Sequence, residues 1–227
     1  MQVESTTEPR APAGPGGFRD AHLHPGYTIR KHLVRTLGVA ALIFGGGLWL
    51  AWGAAWQTWL AIPAFWVVAN IFEWATHRFP MHRPLFPRMM YRNHALIHHR
   101  AFAGDDDQEI RNSGDLCLVM MPWFTILIVF AMASPVAVVA ALLGGPALAG
   151  VFFIAAIGYF LLYETIHTLH HLRAAQLRAW GVDRWRWLAA LRKHHHHHHR
   201  LEEMAHTNFN VTAPLADRLF GTYYRVH

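Results

Sequence analysis

Two long stretches without charge constrain the fold of this 227-residue chain more than any other feature. Residues 37–76, about 40 in number, carry one charged side chain, Glu73, and residues 116–172, about 55 in number, carry only Glu164. A helix of about 20 apolar residues crosses the hydrocarbon core of a bilayer. Each stretch is therefore long enough for two crossings, and the sequence predicts an integral membrane protein.

The predicted crossings form two helical hairpins. Four membrane helices are expected at residues 36–53, 58–76, 116–140 and 146–166. All twenty Lys and Arg residues lie outside them, in residues 10–35, 78–111 and 173–225. Because positive residues flank the cytoplasmic ends of membrane helices, both hairpins should start and end in the cytoplasm. We expect one all-α membrane domain over residues 23–227, after a disordered tail over residues 1–22 that is rich in Pro, Gly, Ala and Thr.

The net charge of +6 and the pI of about 10.0 would also suit a protein that binds nucleic acid. Basic residues beside membrane helices also attract anionic lipid headgroups, which explains the charge in this chain better. We therefore expect no nucleic-acid partner. The single cysteine, Cys117, excludes an internal disulfide.

Nineteen histidines are present, and most of them fall into four clusters beside the ends of the uncharged stretches. The clusters are His77 and His82; His94, His98 and His99; His167, His170 and His171; and the run His194 to His199. The predicted topology places all four clusters on the cytoplasmic face. Eight to ten imidazoles suffice for two metal ions, but imidazole suits Fe, Zn, Cu and Ni alike and does not choose the metal.

Spacing predicts how two of the clusters share their ligands. His94 and His98 lie one helical turn apart on one face, whereas His99 is rotated by about 100°. This spacing predicts two ligands for one metal and one for its neighbour. His171 follows His167 by one turn and should share its face, which leaves His170 as the weaker candidate.

The first cluster has a different spacing. His77 and His82 are five positions apart and do not face one way on a regular helix. Pro80 should end the helix between them, so that His82 returns towards His77 from the following turn.

Two glutamates within the uncharged stretches precede histidines by about one turn. Glu73 precedes His77, and Glu164 precedes His167. A buried carboxylate inside a membrane is costly unless it has a partner. Each carboxylate is expected to orient a metal-bound imidazole through the far ring nitrogen, as carboxylates often do at metal sites.

The six consecutive histidines allow more than one interpretation. A purification tag is one, but the internal position and the patterned, largely apolar sequence that follows favour a native ligand motif. His195, His198 and His199 fall within one 100° arc of a helix. The alternative set His194, His197 and His198 fits equally well on geometry alone.

The order and the neighbours of these motifs resemble the fatty acid hydroxylase/sterol desaturase superfamily of histidine-rich membrane oxygenases. The matching segments are Glu73-Trp-Ala-Thr-His77-Arg-Phe, His94-x(3)-His98-His99, Leu162-Tyr163-Glu164 before His167-x(3)-His171, Asn208-Phe-Asn-Val-Thr212 and Leu215-Ala-Asp217-Arg-Leu-Phe220-Gly-Thr222. In the second-last segment, Asn208 and Asn210 stand where the family has glycines. The last histidine pair of the family precedes a bulky or basic residue, which favours His198 and His199 before Arg200.

The resemblance implies a fold, a metal centre and a reaction. Four transmembrane helices would lie under a cytosolic helical cap that holds two iron ions, with zinc a substitute in purified protein. The implied ligands are His77, His82, His94, His98, His99, His167, His171, His195, His198 and His199. The implied enzyme uses O2 and electrons from a separate cytochrome b5- or ferredoxin-type donor to hydroxylate or desaturate an unactivated C–H bond of a lipid.

The sequence allows more than one lipid substrate and one alternative class of protein. A fatty acyl chain is the first choice, entering near Met81, Phe86, Met89 and Met90, and a carotenoid ring or a sterol is the alternative. The rival is a membrane protein that binds metal through histidine without redox chemistry. A transporter of that kind would place ionisable residues along a path at mid-bilayer, whereas Glu73 and Glu164 lie near the cytosolic ends of their predicted helices.

Overall fold

The computed structural model describes residues 17–103 and 108–225, and within them every regular element is helical. The α-helices are α1 (Gly17–His22), α2 (Ile29–Leu50), α3 (Trp56–Trp59), α4 (Ile62–Thr76), α5 (Arg88–Tyr91), α6 (His99–Ala101), α7 (Leu116–Val119), α8 (Thr125–His171), α9 (Ala174–Ala179), α10 (Arg186–His198) and α11 (Leu215–Leu219). Two π-helical turns cover His77–Met81 and Arg92–His98, and two 3₁₀ turns cover Ser113–Asp115 and Val182–Arg184.

Three helical segments are long and apolar enough to cross a membrane. They are Ile29–Leu50, Trp56–Met81 and Thr125–His171. Apart from α1, the remaining short helices and turns lie in residues 82–119 and 172–225, which together we name the cap. The all-helical prediction is confirmed for the described residues, and so is the presence of membrane-length helices.

The longest segment, α8, is not one straight helix. Gly144 and Gly145 have non-helical backbone angles, and Gly145 has a φ of +68° that glycine adopts without strain. The rings of Phe130 and Phe153 stack with their centroids 6.3 Å apart, although 23 positions along a straight helix would separate them by roughly 35 Å. The two halves of α8 therefore lie against each other.

The helix bounds differ from the predicted ones at several ends. Residues 120–124, which contain Pro122, are non-helical and separate α7 from α8, so the helix predicted from residue 116 begins at Thr125. Proline removes a helical hydrogen bond and disfavours helix at the residue before it. The later half of α8 continues through His171 rather than stopping at residue 166, and α2 begins at Ile29 rather than 36.

The predicted tail also differs from the structure at its end. Residues 1–16 lie outside the described residues, but Gly17–His22 forms α1, with the Arg19 side chain fully buried. The Arg19 guanidinium donates to the carbonyls of Ala101 and Glu109 and pairs with Asp115. Composition predicted the tail, but composition cannot show that Arg19 has buried hydrogen-bond acceptors in the cap.

Asp115 is the charged partner at the centre of this contact. Its carboxylate accepts from the backbone N–H of Arg111 at 2.8 Å and from the Arg111 guanidinium at 2.8 and 3.0 Å. Burial alone would raise the pKa of Asp115, but the bonds from Arg111 and the charge of Arg19 hold it below its usual range. The ion pair joins α1 to the cap.

Close approach of two backbones joins α2 to α8. The α-carbon of Gly150 lies so near α2 that an added methyl group would be 2.5 Å from the Gly47 carbonyl oxygen and 2.6 Å from the Ala51 nitrogen. Small residues permit such contacts between membrane helices. Of the three consecutive glycines Gly45 to Gly47, Gly47 is the one that approaches α8.

Substitution of Gly150 by alanine is expected to separate the two helices and to destabilise the protein by about 1–3 kcal/mol. Thermal unfolding of the detergent-solubilised protein measures the effect. Gly46→Ala is the matched control, because nothing lies within 4 Å of a methyl group at that position. Equal melting temperatures for the two variants would contradict the proposed contact.

Candidate metal centre

The ten histidines predicted from spacing and family resemblance converge in two groups of five. The first histidine group is His77, His82, His94, His99 and His198, and the second is His98, His167, His171, His195 and His199. Within each group, one nitrogen from every ring lies within 4.8 Å of the others. All ten side chains are at most 9% exposed, so the tertiary structure brings residues from four separate segments into one buried centre.

The distances between ring nitrogens match the spacing of ligands on one ion. In the first histidine group, His77 Nε2 lies 2.7 Å from His94 Nε2 and 3.1 Å from His198 Nε2. In the second, His195 Nε2 lies 3.1 Å from His171 Nε2 and 3.0 Å from His199 Nε2. Metal–nitrogen bonds of 2.0–2.1 Å at near-right angles separate two ligand nitrogens by about 3 Å.

Backbone carbonyls set which ring nitrogen faces the centre. The opposite nitrogen, Nδ1, bonds to a carbonyl oxygen in four of the ten rings: His77 to Phe209, His98 to Leu118 at 2.8 Å, His171 to Gln108 at 2.7 Å and His198 to Thr207 at 2.7 Å. A carbonyl oxygen only accepts, so Nδ1 carries the proton in these rings. The Nε2 lone pair then points towards the centre and is available to a metal.

The environment also keeps the imidazoles neutral. Burial lowers the pKa of His98 to about 3. Burial and the neighbouring imidazoles hold the pKa of His99 and of His199 well below the usual value. At neutral pH these side chains therefore offer lone pairs rather than positive charge, as metal ligands must. The donor set fits two metal ions, one in each group.

The predicted pairing of His94 with His98 is wrong. His94 and His99 belong to the first histidine group, and His98 belongs to the second. The reason is the π-helical turn Arg92–His98, in which the backbone bonds connect residues five apart and so change which positions share a face. His167 and His171 lie on a regular α-helix and do share one group, as their four-residue spacing predicts.

A second π-helical turn explains the first cluster. The turn His77–Met81 contains Pro80 and continues α4 for five residues. His77 and His82 are therefore one π-helical turn apart, and their ring centroids lie 5.0 Å from each other. Pro80 does not end the helix between the two histidines, because the wider turn continues as far as Met81.

The structure separates the six-histidine run into two sets. His195 and His199 enter the second histidine group and His198 enters the first, whereas the remaining three have other partners. His194 Nε2 bonds to Asp217 at 3.3 Å, His196 Nε2 bonds to the His170 carbonyl at 2.8 Å, and His197 stacks on Tyr224 with centroids 4.1 Å apart. The alternative set with His194 and His197 does not converge.

Glu73 has a different contact from the predicted one. Its carboxylate accepts from the backbone N–H groups of Val211 and Thr212, from the Thr212 hydroxyl at 2.6 Å and from the Tyr159 hydroxyl at 2.6 Å. The His77 ring is oriented by the Phe209 carbonyl instead. Glu73 therefore acts on His77 through the chain segment that carries Phe209, rather than by direct contact.

Glu164 also lacks the predicted bond to His167. One carboxylate oxygen accepts from the Met121 N–H at 3.2 Å. The other oxygen, Oε1, is buried and has no hydrogen-bond partner among the described residues. The expectation that Glu164 orients His167 is therefore not met.

The segment from Asn208 to Thr212 is held by polar side chains that spacing could not reveal. Asp217 is fully buried and accepts from the Phe209 N–H at 2.9 Å and from the Asn210 N–H at 2.8 Å. Asn208 has a φ of +58°, a conformation that asparagine tolerates better than most residues. Its side-chain oxygen accepts from the Tyr224 N–H at 2.7 Å. A glycine would also adopt this backbone conformation, but it could not make this hydrogen bond.

Asn70 is a positioning residue that the sequence reasoning missed. Its amide donates to the Ala213 carbonyl at 2.8 Å and to the Tyr159 hydroxyl at 2.9 Å, and its oxygen accepts from the Ala216 N–H at 3.0 Å. An amide within the largely apolar helix α4 was the available signal, because such a group needs buried partners.

Two cavities approach the centre from different sides. The first cavity is almost entirely apolar, lies between α4 and both halves of α8, and reaches His77 and Glu73. The second cavity lies against the cap and reaches His94, His98 and His167. Met81, Met121 and Tyr163 line both cavities.

The residues predicted at the substrate entrance do not all line a cavity. Met81, Met89 and Met90 line the second cavity, whereas Phe86 is 92% exposed and lines neither cavity.

A model of the fatty acid hydroxylase family matches residues 62–222, more than two thirds of the chain. The matched region includes all ten converging histidines and ends at the threonine that donates to Asp217. No curated protein and no solved structure matches the chain significantly.

Proposed function

The chain belongs to the fatty acid hydroxylase family, within the fatty acid hydroxylase/sterol desaturase superfamily, and we propose that it is a membrane enzyme that hydroxylates a lipid. One observation carries the proposal: ten buried, neutral imidazoles converge in two groups where an apolar cavity ends. The proposed reaction consumes R–H, O2, two electrons and two protons, and yields R–OH and water.

The proposed cofactor is a pair of iron ions, one in each histidine group. The first group would hold one ion through His77, His82, His94, His99 and His198, and the second would hold the other through His98, His167, His171, His195 and His199. Iron at these positions would supply the activation of O2 that an unactivated C–H bond requires. Zinc binds the same donors, so zinc in purified protein would not contradict the proposal.

The proposed substrate is a fatty acyl chain. The first cavity offers such a chain an apolar site between Val68, Phe72, Phe130, Phe152 and Phe160, with His77 at one end. Its side chains exclude water from the reacting carbon, which limits side reactions of reactive oxygen species. The cavity lies between membrane-length helices, so a lipid can reach it from the bilayer.

The proposed topology has four membrane crossings with the metal centre on the cytoplasmic side. The break at Gly144 and Gly145 and the contact between Phe130 and Phe153 support two crossings within α8. Arg and Lys residues concentrate in the cap, as the positive-inside rule requires of a cytoplasmic face.

The proposed electron source is a separate cytochrome b5- or ferredoxin-type protein. Exposed cations of the cap, among them Arg178, Arg184 and Lys193, suit an acidic partner of this kind.

Expression with a suitable reductase tests the proposed reaction. Wild type should contain iron and should add one oxygen atom from ¹⁸O2 to a cellular fatty acyl lipid, and His167→Ala should lose both properties. Loss of two hydrogens without added oxygen would assign desaturation, and an oxidised sterol or carotenoid would move the substrate to that class. Iron-loaded wild type that oxidises none of these lipids would favour a histidine-rich metal-binding protein without redox chemistry.

A further inference from the structure

A third cavity lies outside the metal centre, and we name it the Glu164 groove. It runs between the N-terminal half of α2, the C-terminal half of α8 and neighbouring residues of the cap. Apolar side chains form most of its wall, including Leu33, Leu37 and Leu161. None of the residues that line it is a histidine, so it belongs to neither histidine group.

Buried oxygen atoms without partners line this apolar groove. Glu164 is 5% exposed and Thr36 is 4% exposed, yet Glu164 Oε1 and Thr36 Oγ1 have no hydrogen-bond partner in the described part of the chain. The hydroxyl of Thr168, which also lines the groove, is buried and likewise lacks one. Buried polar groups are nearly always satisfied, so three such atoms around one cavity point to a ligand.

The chemistry of these atoms restricts what can bind. A carboxylate oxygen needs a hydrogen-bond donor, and a threonine hydroxyl can donate or accept. A neutral hydroxyl on the ligand satisfies both, because it donates to Glu164 and accepts from Thr36.

The surroundings indicate that the ligand is largely apolar. Leu33 and Leu37 are 38% and 51% exposed on α2, a helix of membrane length, so the groove opens towards the hydrocarbon of the bilayer. Water alone would satisfy the oxygen atoms but would leave this apolar wall in contact with water.

We propose that the Glu164 groove binds a neutral amphiphile with a free hydroxyl group. The hydroxyl lies against Glu164 and Thr36, and the apolar body lies along Leu33, Leu37 and Leu161. This assignment gives Glu164 a role in place of the predicted bond to His167. It does not depend on the proposed function, because it concerns residues outside both histidine groups.

Photo-crosslinking with a matched pair of probes tests the proposal. The probes are a diazirine-bearing 14-carbon primary alcohol and its methyl ether, in which a methyl group replaces the hydrogen that the alcohol can donate. The full-length protein in nanodiscs is labelled without a reductant, so that no turnover occurs, and the labelled peptides are identified by mass spectrometry. The alcohol should label the peptides of the groove at least about fivefold more than the ether, because fivefold corresponds to one neutral hydrogen bond and a bond to a carboxylate is stronger.

Three variants assign the preference to the groove. Glu164→Leu should bring labelling by the alcohol close to that by the ether, because Glu164 accepts the hydrogen that only the alcohol carries. Thr36→Val should lower labelling of the groove by both probes, because the oxygen of either probe can accept from Thr36. Thr165→Val is the matched control, because Thr165 also lines the groove but its hydroxyl already donates to the Leu161 carbonyl at 2.8 Å. This control should keep the wild-type preference.

Several results would overturn the proposal. Equal labelling by the two probes in wild type would mean that the groove takes only apolar chains or water. Unchanged labelling of the groove by both probes in Thr36→Val would separate the ligand oxygen from its assigned donor, and this variant serves even where Glu164→Leu does not fold. Labelling confined to peptides of the first cavity, such as those with Val129 to Val136, would place the alcohol there instead.

Discussion

Replacement of His198 by alanine is expected to abolish metal binding in the first histidine group and with it the proposed lipid oxidation. The variant removes one of the five converging nitrogens of this group. The Nε2 atoms of His77 and His82 both lie 3.1 Å from His198 Nε2, so both rings would be left in an incomplete set of metal ligands. Loss of an outer contact to a metal ligand already costs about 10–100-fold in affinity, so we expect a loss of at least about 100-fold. Metal analysis of the purified protein and the ¹⁸O2 assay measure the two effects.

The neighbouring histidines provide an internal control. His196→Ala changes a residue of the same run that bonds to a backbone carbonyl and lies in neither histidine group. It should retain wild-type metal content, although lost packing lowers its melting temperature. Equal metal loss in His196→Ala and His198→Ala would contradict the assignment and would indicate that the run acts as a non-specific chelating segment.

Replacement of Glu73 by glutamine is expected to destabilise the fold by about 2–4 kcal/mol, because hydrogen bonds to a neutral amide are weaker than those to a carboxylate and the amide nitrogen cannot accept from the surrounding groups. The carboxylate now accepts from the N–H groups of Val211 and Thr212 and from two hydroxyls. Metal affinity should fall with stability, since the same segment carries the Phe209 carbonyl that orients His77. Thermal unfolding and metal titration of one preparation measure both quantities.

Tyr159→Phe is the graded control for this prediction. It removes one hydroxyl that donates to Glu73 and leaves the backbone donors in place, so the loss of stability should be about 1 kcal/mol. If Glu73 instead contacted the metal-bound imidazole directly, Glu73→Gln would lower metal affinity while the melting temperature of the metal-free protein stayed unchanged. That result would contradict the contacts described for this carboxylate.

The set of residues in the candidate metal centre could be predicted because histidines rarely occur in clusters along a sequence. The ten histidines chosen from spacing and family resemblance are the same ten that converge in two groups. His167 and His171 were paired correctly, since a regular α-helix connects them. The ligand role itself, and the identity of the metal, stay predictions that the metal analysis of His198→Ala and His167→Ala tests.

The pairing of the other histidines could not be predicted from α-helical geometry. His94 and His99 share a group, as do His77 and His82, and each pair is five positions apart. Five-residue spacing becomes one turn only in a π-helix, and both pairs lie along π-helical turns. Nothing local in the sequence distinguishes these turns from α-helix, because surrounding contacts rather than propensity decide such a bulge.

The partners of Glu73 and Glu164 could not be predicted from the sequence either. Glu73 contacts Val211 and Thr212, which are nearly 140 positions away. Glu164 faces a groove whose opposite wall comes from α2. Proximity along a helix suggested histidine partners, but donors from distant segments lie closer to these carboxylates in the folded chain.

The sequence by itself therefore determined the apolar helices and the set of histidines, because both depend on residue type and on short-range spacing. Membrane crossing depends on the length of an apolar stretch, and ligand chemistry depends on imidazole. The tertiary structure alone decided which histidines share a group, which carbonyls orient their rings and where the two glutamates point. Those outcomes depend on contacts between residues far apart in the chain, and such contacts exist only once α4, α8 and the cap have packed together.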